Sequence, residues 1–387
     1  MPFDFDQPVN RRDSDSIKWN YYDADVLPMW VADMCFRSAE PIVQALRDRV
    51  EHGIFGYAQP PKKLHETVVA WCARQYGWTI QPDDVIFLPG LVSGLNLVCR
   101  AYGHIGDSTI TLSPVYPPMF SSATEQGMNC IHVPLTATQV NGAIRYEIDF
   151  DAFEKAITPR TTILMLCHPH NPAGREFTRE ELARLGEICI RKHVLICSDE
   201  IHGDLMLDDR RHLPMAAVSP EIADRTITLM APSKTFNIPG LGCSFAIVTN
   251  AQLRQRLNSA RSGIVPWVNL MGLTATEAAF TQCDDWLREL RAYLTGNRDF
   301  VARYLAEHMP TLKTTLPEAT YLAFFDCSGA GIDGDPFAHF LKHARVATNA
   351  GSGFGKGGDG FVRLNFGCPR AQLHEALEKM AEALPAR

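Results

Sequence analysis

Lys234 stands in the run Ala231-Pro-Ser-Lys-Thr-Phe-Asn-Ile-Pro-Gly-Leu241, directly after an apolar stretch, Thr226 to Met230, that reads as a buried strand. An ammonium at the end of a buried strand is costly unless it is paired or used covalently. Alone, the Ser-Lys pair reads as an ordinary solvated loop. Two earlier runs change that. Ser198-Asp-Glu-Ile-His202 closes the strand-like run Val194–Ser198, and His168-Pro-His-Asn-Pro-Ala-Gly174 follows the strand-like run Thr162–Cys167. Two prolines and a glycine stiffen that turn and aim the Asn171 amide. An amide, a carboxylate and an amine at three successive strand ends make a cradle for a small cofactor. Arg363 adds a guanidinium on the otherwise apolar run Phe361-Val-Arg-Leu-Asn365, where it needs a partner.

The elements that must position these groups follow from the pattern. Short β-rich runs at Asp84–Leu88, Thr109–Leu112, Cys130–Val133, Thr162–Cys167, Val194–Ser198, Thr226–Met230 and Ser244–Val248 alternate with helical or loop segments. This alternation predicts an α/β fold: a mainly parallel seven-stranded sheet between helices, with strand ends meeting along one crevice. Thr178 and Glu181 are spaced as a capping box for a helix over Arg179–His193. Ser38 is placed to cap a helix over Ala39–His52, with Pro41 in its first turn and Gly53 at its end. A second early helix, about Lys63–Tyr76, stops at Gly77. After Asn250 the pattern turns to long helices, with Asp284–Met309 one helix or a broken pair. Strands near Leu312–Leu316, Tyr321–Asp326 and Phe361–Asn365, and helices near Pro336–Ala344 and Ala371–Leu384, predict a smaller α+β part. The expected division is an N-terminal arm and part of the small domain over 1–48, a large cofactor-binding domain over 49–284, and a small C-terminal domain over 285–387.

Composition excludes several classes. The 387 residues carry a net charge of −7 and no basic patch, which argues against a nucleic-acid surface. No run approaches the ~20 apolar residues of a membrane span. The opening Met-Pro-Phe-Asp-Phe-Asp is acidic and unlike a secretory leader, so a cytoplasmic protein is expected. Eleven cysteines, none spaced Cys-x-x-Cys and most in apolar runs, read as reduced and buried. His168 and His170 are explained by their proline-bounded turn; with no third ligand evident, no metal site is expected.

Asn171-Pro-Ala-Gly174, Ser198-Asp-Glu200 and Ser233-Lys-Thr-Phe-Asn237, in this order, resemble the class I/II aminotransferase family of pyridoxal-phosphate enzymes. With Met34-Cys-Phe36, Phe55-Gly-Tyr57, His202 and the run Phe361 to Arg370, the chain is most similar to the bacterial cystathionine β-lyase (C–S lyase) branch. The resemblance implies pyridoxal 5'-phosphate held as a Schiff base on Lys234, which then serves as the base at Cα. It implies Asp199 at the pyridine nitrogen, Asn171 and His202 near the phenolic oxygen, and Tyr116 stacked on the ring as a second catalytic candidate. For the phosphate it implies the Leu91 and Val92 amides at a helix start, Ser233, and Tyr57 from a second subunit. Two positions depart from the wider family: Ala231 where serine is frequent, and Gly242 where arginine or lysine is frequent. Arg363 would take the α-carboxylate of an amino-acid substrate by its planar fork, and Asp33 would shape the substrate pocket. The implied protein is a homodimer with its active site at the interface. The implied reaction is β-elimination from L-cystathionine or another cysteine S-conjugate, giving thiol, pyruvate and ammonia. An aminotransferase for aromatic or hydrophobic amino acids is the alternative, and a regulatory partner-binding protein retaining the fold is a second.

Overall fold

The computed structural model describes residues 3–385. Seven strands form its large sheet: β1 (Val85–Leu88), β2 (Ser108–Ser113), β3 (Asn129–Pro134), β4 (Thr161–Cys167), β5 (Leu195–Asp199), β6 (Thr226–Met230) and β7 (Ser244–Ile247). Their spatial order is β1-β7-β6-β5-β4-β2-β3. Only β7 runs antiparallel to its neighbours; the other pairs are parallel. Strands β1, β2, β5, β6 and β7 are buried at every residue. A parallel sheet covered on both faces demands that, which is why these stretches read as unbroken apolar runs rather than alternating ones.

The second sheet is antiparallel and smaller: β8 (Lys313–Thr314), β9 (Leu322–Asp326), β10 (Asn349–Ala350) and β11 (Phe361–Asn365), in the order β8-β9-β11-β10. Arg363 sits on β11, opposite Phe324 and Asn349. The N-terminal segment joins this region through Leu27–Pro28, which pairs in parallel with Val346–Ala347.

Helices sit where the residue pattern placed them, with instructive differences at the ends. Helix α1 (Glu40–His52) ends at Gly53 with φ +73°, and α2 (Lys62–Tyr76) ends at Gly77 with φ +65°, both in the left-handed region where a Cβ is disfavoured. Ser38 does not cap α1. Ala39 holds the N-cap position, and the Ser38 hydroxyl donates instead to the Asn237 carbonyl at 3.2 Å. Helix α3 (Leu91–Tyr102) follows β1, and α4 (Arg179–Arg191) starts on the Thr178–Glu181 capping box. Helix α5 (Asp284–His308) is unbroken over 25 residues and α6 (Arg370–Glu382) closes the chain. Between β3 and β4 lies an unanticipated hairpin, Thr136–Val140 against Ala143–Glu147. Its turn is Asn141-Gly142, both at positive φ, the pairing that a two-residue hairpin favours.

Helix α5 ties the two sheets together. The Asn297 amide donates to the Phe366 and Cys368 carbonyls, each at 2.9 Å, and Arg291 donates to the Asp204 carbonyl at 2.6 Å. Trp71 of α2 is fully buried, stacked on Phe280 with centroids 4.4 Å apart, and its indole N–H reaches the Asp204 carboxylate. The end of β11 and the loop after β5 are thereby held by one rigid body.

Candidate active site

Strands β4, β5 and β6 are adjacent and parallel, so the segments leaving them emerge on one edge of the sheet. There a cavity of about 390 Å³ opens. Asn171, Asp199, His202, Ser233 and Lys234 all line it, from the three strand-end segments. Leu91, Val92 and Tyr116 line a second wall, and Arg363 reaches in from the small sheet.

Each group is fixed by local structure. The Tyr116 N–H donates to the Asn171 carbonyl at 2.9 Å, joining the post-β2 loop to the proline turn. Gly90 caps α3, and the first intrahelical bond runs from Gly94 N–H to the Gly90 carbonyl. The Leu91, Val92 and Ser93 N–H groups therefore have no acceptor within the helix, at its positive end. Asn237 explains why Met34-Cys-Phe36 accompanies the lysine run. Its amide oxygen accepts from Met34 N–H at 2.9 Å, and its nitrogen donates to the Met34 and Phe36 carbonyls at 3.0 and 2.8 Å. The Lys234 amine donates to the Ala32 carbonyl of this clamped segment at 2.6 Å.

The electrostatics are those of a dry site. Burial, helped by the charge of Arg363, pushes the Lys234 amine down to about 8 against the pull of Asp33 and Asp199. Burial pushes the Asp199 carboxyl up to about 7, opposed by the Ile201 N–H at 3.2 Å and by Lys234. Burial, with the charges of Lys234 and Arg363, drives His202 down to about 3, so its imidazole is neutral. Its Nδ1 has no partner among the described residues. Arg363 is buried, donating to Asn171 Oδ1 at 3.0 Å, Asn349 Oδ1 at 2.6 Å and the Trp30 carbonyl at 3.0 Å. Its Nε is unpartnered among the described residues, and burial brings its acidity to about 10, which leaves it charged at neutral pH. The Tyr116 phenol is raised by burial and by Asp199.

One expected site residue lies elsewhere, and one, expected from a second subunit, faces outward from its own chain. Asp33 does not line the cavity: Arg11, at 2.7 Å, and the fully buried Lys18, at 3.4 Å, take its carboxylate. Tyr57 projects wholly into solvent, edge-on to the exposed Trp267 at 5.8 Å. Conversely, Trp30, Asn349 and Ile201 line the cavity, and nothing in the residue pattern marks the Ala32 carbonyl or Asn349 as site groups. A backbone acceptor leaves no trace in side-chain types, and Asn349 belongs to a two-residue strand.

A buried amine, carboxylate and guanidinium on the edge of a doubly covered α/β sheet define an enzyme of amino-acid chemistry. The sequence matches the aminotransferase class I and II family over residues 24–380, and the chain belongs to that family. It is 38% identical to cystathionine beta-lyase PatB of Bacillus subtilis (strain 168), over 98% of this chain and 99% of that protein. Among solved structures it is similar to OvoB, with 41% identity, a TM-score of 0.94 and complete coverage of both chains. It is also similar to the pyridoxal-phosphate-bound C–S lyase from Staphylococcus hominis, with 32% identity, a TM-score of 0.93 and 98% of each chain covered.

Proposed function

We propose that this protein is a pyridoxal-phosphate-dependent C–S β-lyase acting on L-cystathionine or another cysteine S-conjugate, releasing a thiol, pyruvate and ammonia. The observation that carries the reading is the convergence of Lys234, Asp199 and Arg363 on one cavity, together with the similarity to cystathionine β-lyase and C–S lyase over nearly the whole chain.

The residues present fit the cofactor. Asp199 is a buried carboxylate whose only hydrogen-bond partner among the described residues is one backbone N–H, and a protonated ring nitrogen would complete it. The free amides of Leu91, Val92 and Ser93 suit a phosphate, and Ser233 lies on the same cavity wall. Asn171 and the unpartnered nitrogen of His202 suit a phenolic oxygen, and the Tyr116 ring suits a heterocycle face. When bound, pyridoxal 5'-phosphate supplies an aldehyde that condenses with amines and a cationic ring that withdraws electrons from Cα.

The chain's own residues do the rest. Lys234, largely neutral above pH 8, holds the cofactor and, once released by the incoming amino group, takes the proton from Cα. Arg363 binds the α-carboxylate and fixes which bond at Cα faces that amine. The Cβ–S bond then breaks and the sulfur departs with its electron pair. The Trp30 carbonyl and the Asn349 amide oxygen accept from Arg363, and both residues line the cavity beside it.

A homodimer in the cytoplasm completes the reading. Ile54, Phe55, Tyr57 and Trp267 are all more than half exposed, a concentration of apolar side chains on one surface that a second copy would cover. The 11 free cysteines, 10 of them buried, suit a reducing compartment. No helix among the described residues is long and apolar enough to cross a membrane. The test is acceptor-free turnover: protein with pyridoxal 5'-phosphate is expected to release pyruvate and thiol from L-cystathionine or an S-alkyl-L-cysteine. A requirement for 2-oxoglutarate would overturn the lyase reading in favour of an aminotransferase.

A further inference from the structure

Behind the cavity, a second group of side chains has no part in this reaction. His168 opens the turn after β4, Glu176 follows that turn, and His212 lies in the loop after β5. One ligand atom from each lies within 4.8 Å of the others. Both imidazoles are fully buried and the Glu176 side chain is 12% exposed. The sequence offers His168 beside His170 with no third ligand; the fold turns His170 to the Leu112 carbonyl and brings Glu176 and His212 to His168.

Three of the spacings suit a coordination shell. Glu176 Oε1 stands 3.0 Å from His212 Nδ1 and 3.5 Å from His168 Nε2, and the Leu213 carbonyl oxygen stands 3.1 Å from His168 Nε2. Bonds of about 2.0–2.1 Å to a tetrahedral centre place neighbouring ligand atoms about 3.3–3.4 Å apart, within the span of these distances. The outer contacts are in place as well. His212 Nε2 is 2.8 Å from Glu200 Oε2, and Glu200 is itself held by the Ser198 hydroxyl at 2.7 Å and Met215 N–H at 3.0 Å. A carboxylate on the far nitrogen is how a metal-bound imidazole is oriented. Leu213 N–H donates to Glu176 Oε1 at 3.0 Å, which fixes the third ligand.

Charge favours a divalent ion over a proton. Glu176 and Glu200 bring two carboxylates to this interior, and the nearby Arg175 is spent on Glu181 at 2.9–3.1 Å. A single imidazolium would leave one buried negative charge uncompensated, whereas a divalent cation between neutral imidazoles balances both. Two imidazole ligands select a borderline d-block ion over magnesium or calcium. We propose that His168, Glu176 and His212, with the Leu213 carbonyl, form a closed structural site for one divalent cation of the zinc type. The site ties the turn bearing Asn171 to the end of β5, where His168 N–H donates to the Asp199 carbonyl at 2.9 Å. It depends on none of the roles assigned in the lyase reaction.

The test is metal content. Protein expressed in zinc-supplemented medium and desalted into metal-treated buffer is expected to carry about one zinc per chain by inductively coupled plasma mass spectrometry. Cobalt in its place is expected to show the visible absorption of a four-coordinate centre. His168→Asn and Glu176→Gln are expected to lose the metal. His170→Asn, whose imidazole faces the Leu112 carbonyl instead, is expected to keep it. Wild-type protein with less than about 0.1 metal per chain, melting at the same temperature with and without zinc, would overturn the proposal whether or not the variants fold. Undiminished metal in both His168→Asn and Glu176→Gln would overturn it too.

Discussion

Arg363→Lys keeps the positive charge and removes the fork. The guanidinium spans Asn171 Oδ1 at 3.0 Å and Asn349 Oδ1 at 2.6 Å, with Nε left for a ligand. A lysine ammonium is a single point of charge on a stem that cannot meet both amides and a carboxylate together. Each charge-assisted hydrogen bond to a carboxylate is worth about 1.5–3 kcal/mol. Losing that charge-assisted contact while keeping part of the Coulomb attraction comes to about 2 kcal/mol, or a fall of about 30-fold in kcat/KM at 1.36 kcal/mol per decade. The contact is made in the bound substrate as well as during bond breaking, so most of the loss is expected in KM. Acceptor-free pyruvate release measures it, with cofactor absorbance as the control for an intact site. A kcat/KM within about threefold of wild type would refute the assignment. An unchanged KM with lost cofactor absorbance would instead give Arg363 the role of holding Asn171.

Three further outcomes follow from the same geometry. With its acidity near 8, about one-tenth of Lys234 is neutral at pH 7, against about 3 in 10,000 for an ordinary lysine. The neutral amine grows as pH rises, so stopped-flow uptake of pyridoxal 5'-phosphate by the apoprotein is expected to accelerate up to about pH 8 and level off; a rate still climbing toward pH 10 would contradict this. Asp204 accepts from Trp71 at 3.1 Å, from Thr235 at 3.0 Å and from the Tyr76 hydroxyl. Asp204→Ala strands three buried donors and is expected to cost about 3–5 kcal/mol in urea unfolding. Tyr57→Ala removes a fully exposed ring and is expected to leave the protomer's melting temperature unchanged. Cofactor affinity is expected to fall about tenfold with it if a partner copy brings Tyr57 to the site, and unchanged affinity would exclude that.

What the amino-acid order made legible, and what it hid, has a physical basis. Strands buried on both faces are apolar runs, so a polar residue at their ends stands out: that is why Asn171, Asp199 and Lys234 could be aligned before their strand order was known. Asp33 failed for the opposite reason. It looks like a free carboxylate among aromatics, but Arg11 and Lys18, both earlier in the chain, fold back to neutralise it. The Asn141-Gly142 turn is marked in the residues themselves, but its first strand is exposed and polar and its second buries only Ile144 and Tyr146, so neither gives an apolar run. Ser38 had the right side chain one position early, and cap geometry is set by backbone angles that residue types only bias. The grouping of His168 with Glu176 and His212 is a product of two loops meeting, which no spacing in the chain announces.

All of this chemistry requires that the amine of Lys234 carry the cofactor. Borohydride reduction of the holoenzyme followed by peptide mass mapping tests it directly. A phosphopyridoxyl adduct is expected on the peptide bearing Lys234 and on no other lysine. An adduct elsewhere, or none at all, would contradict it.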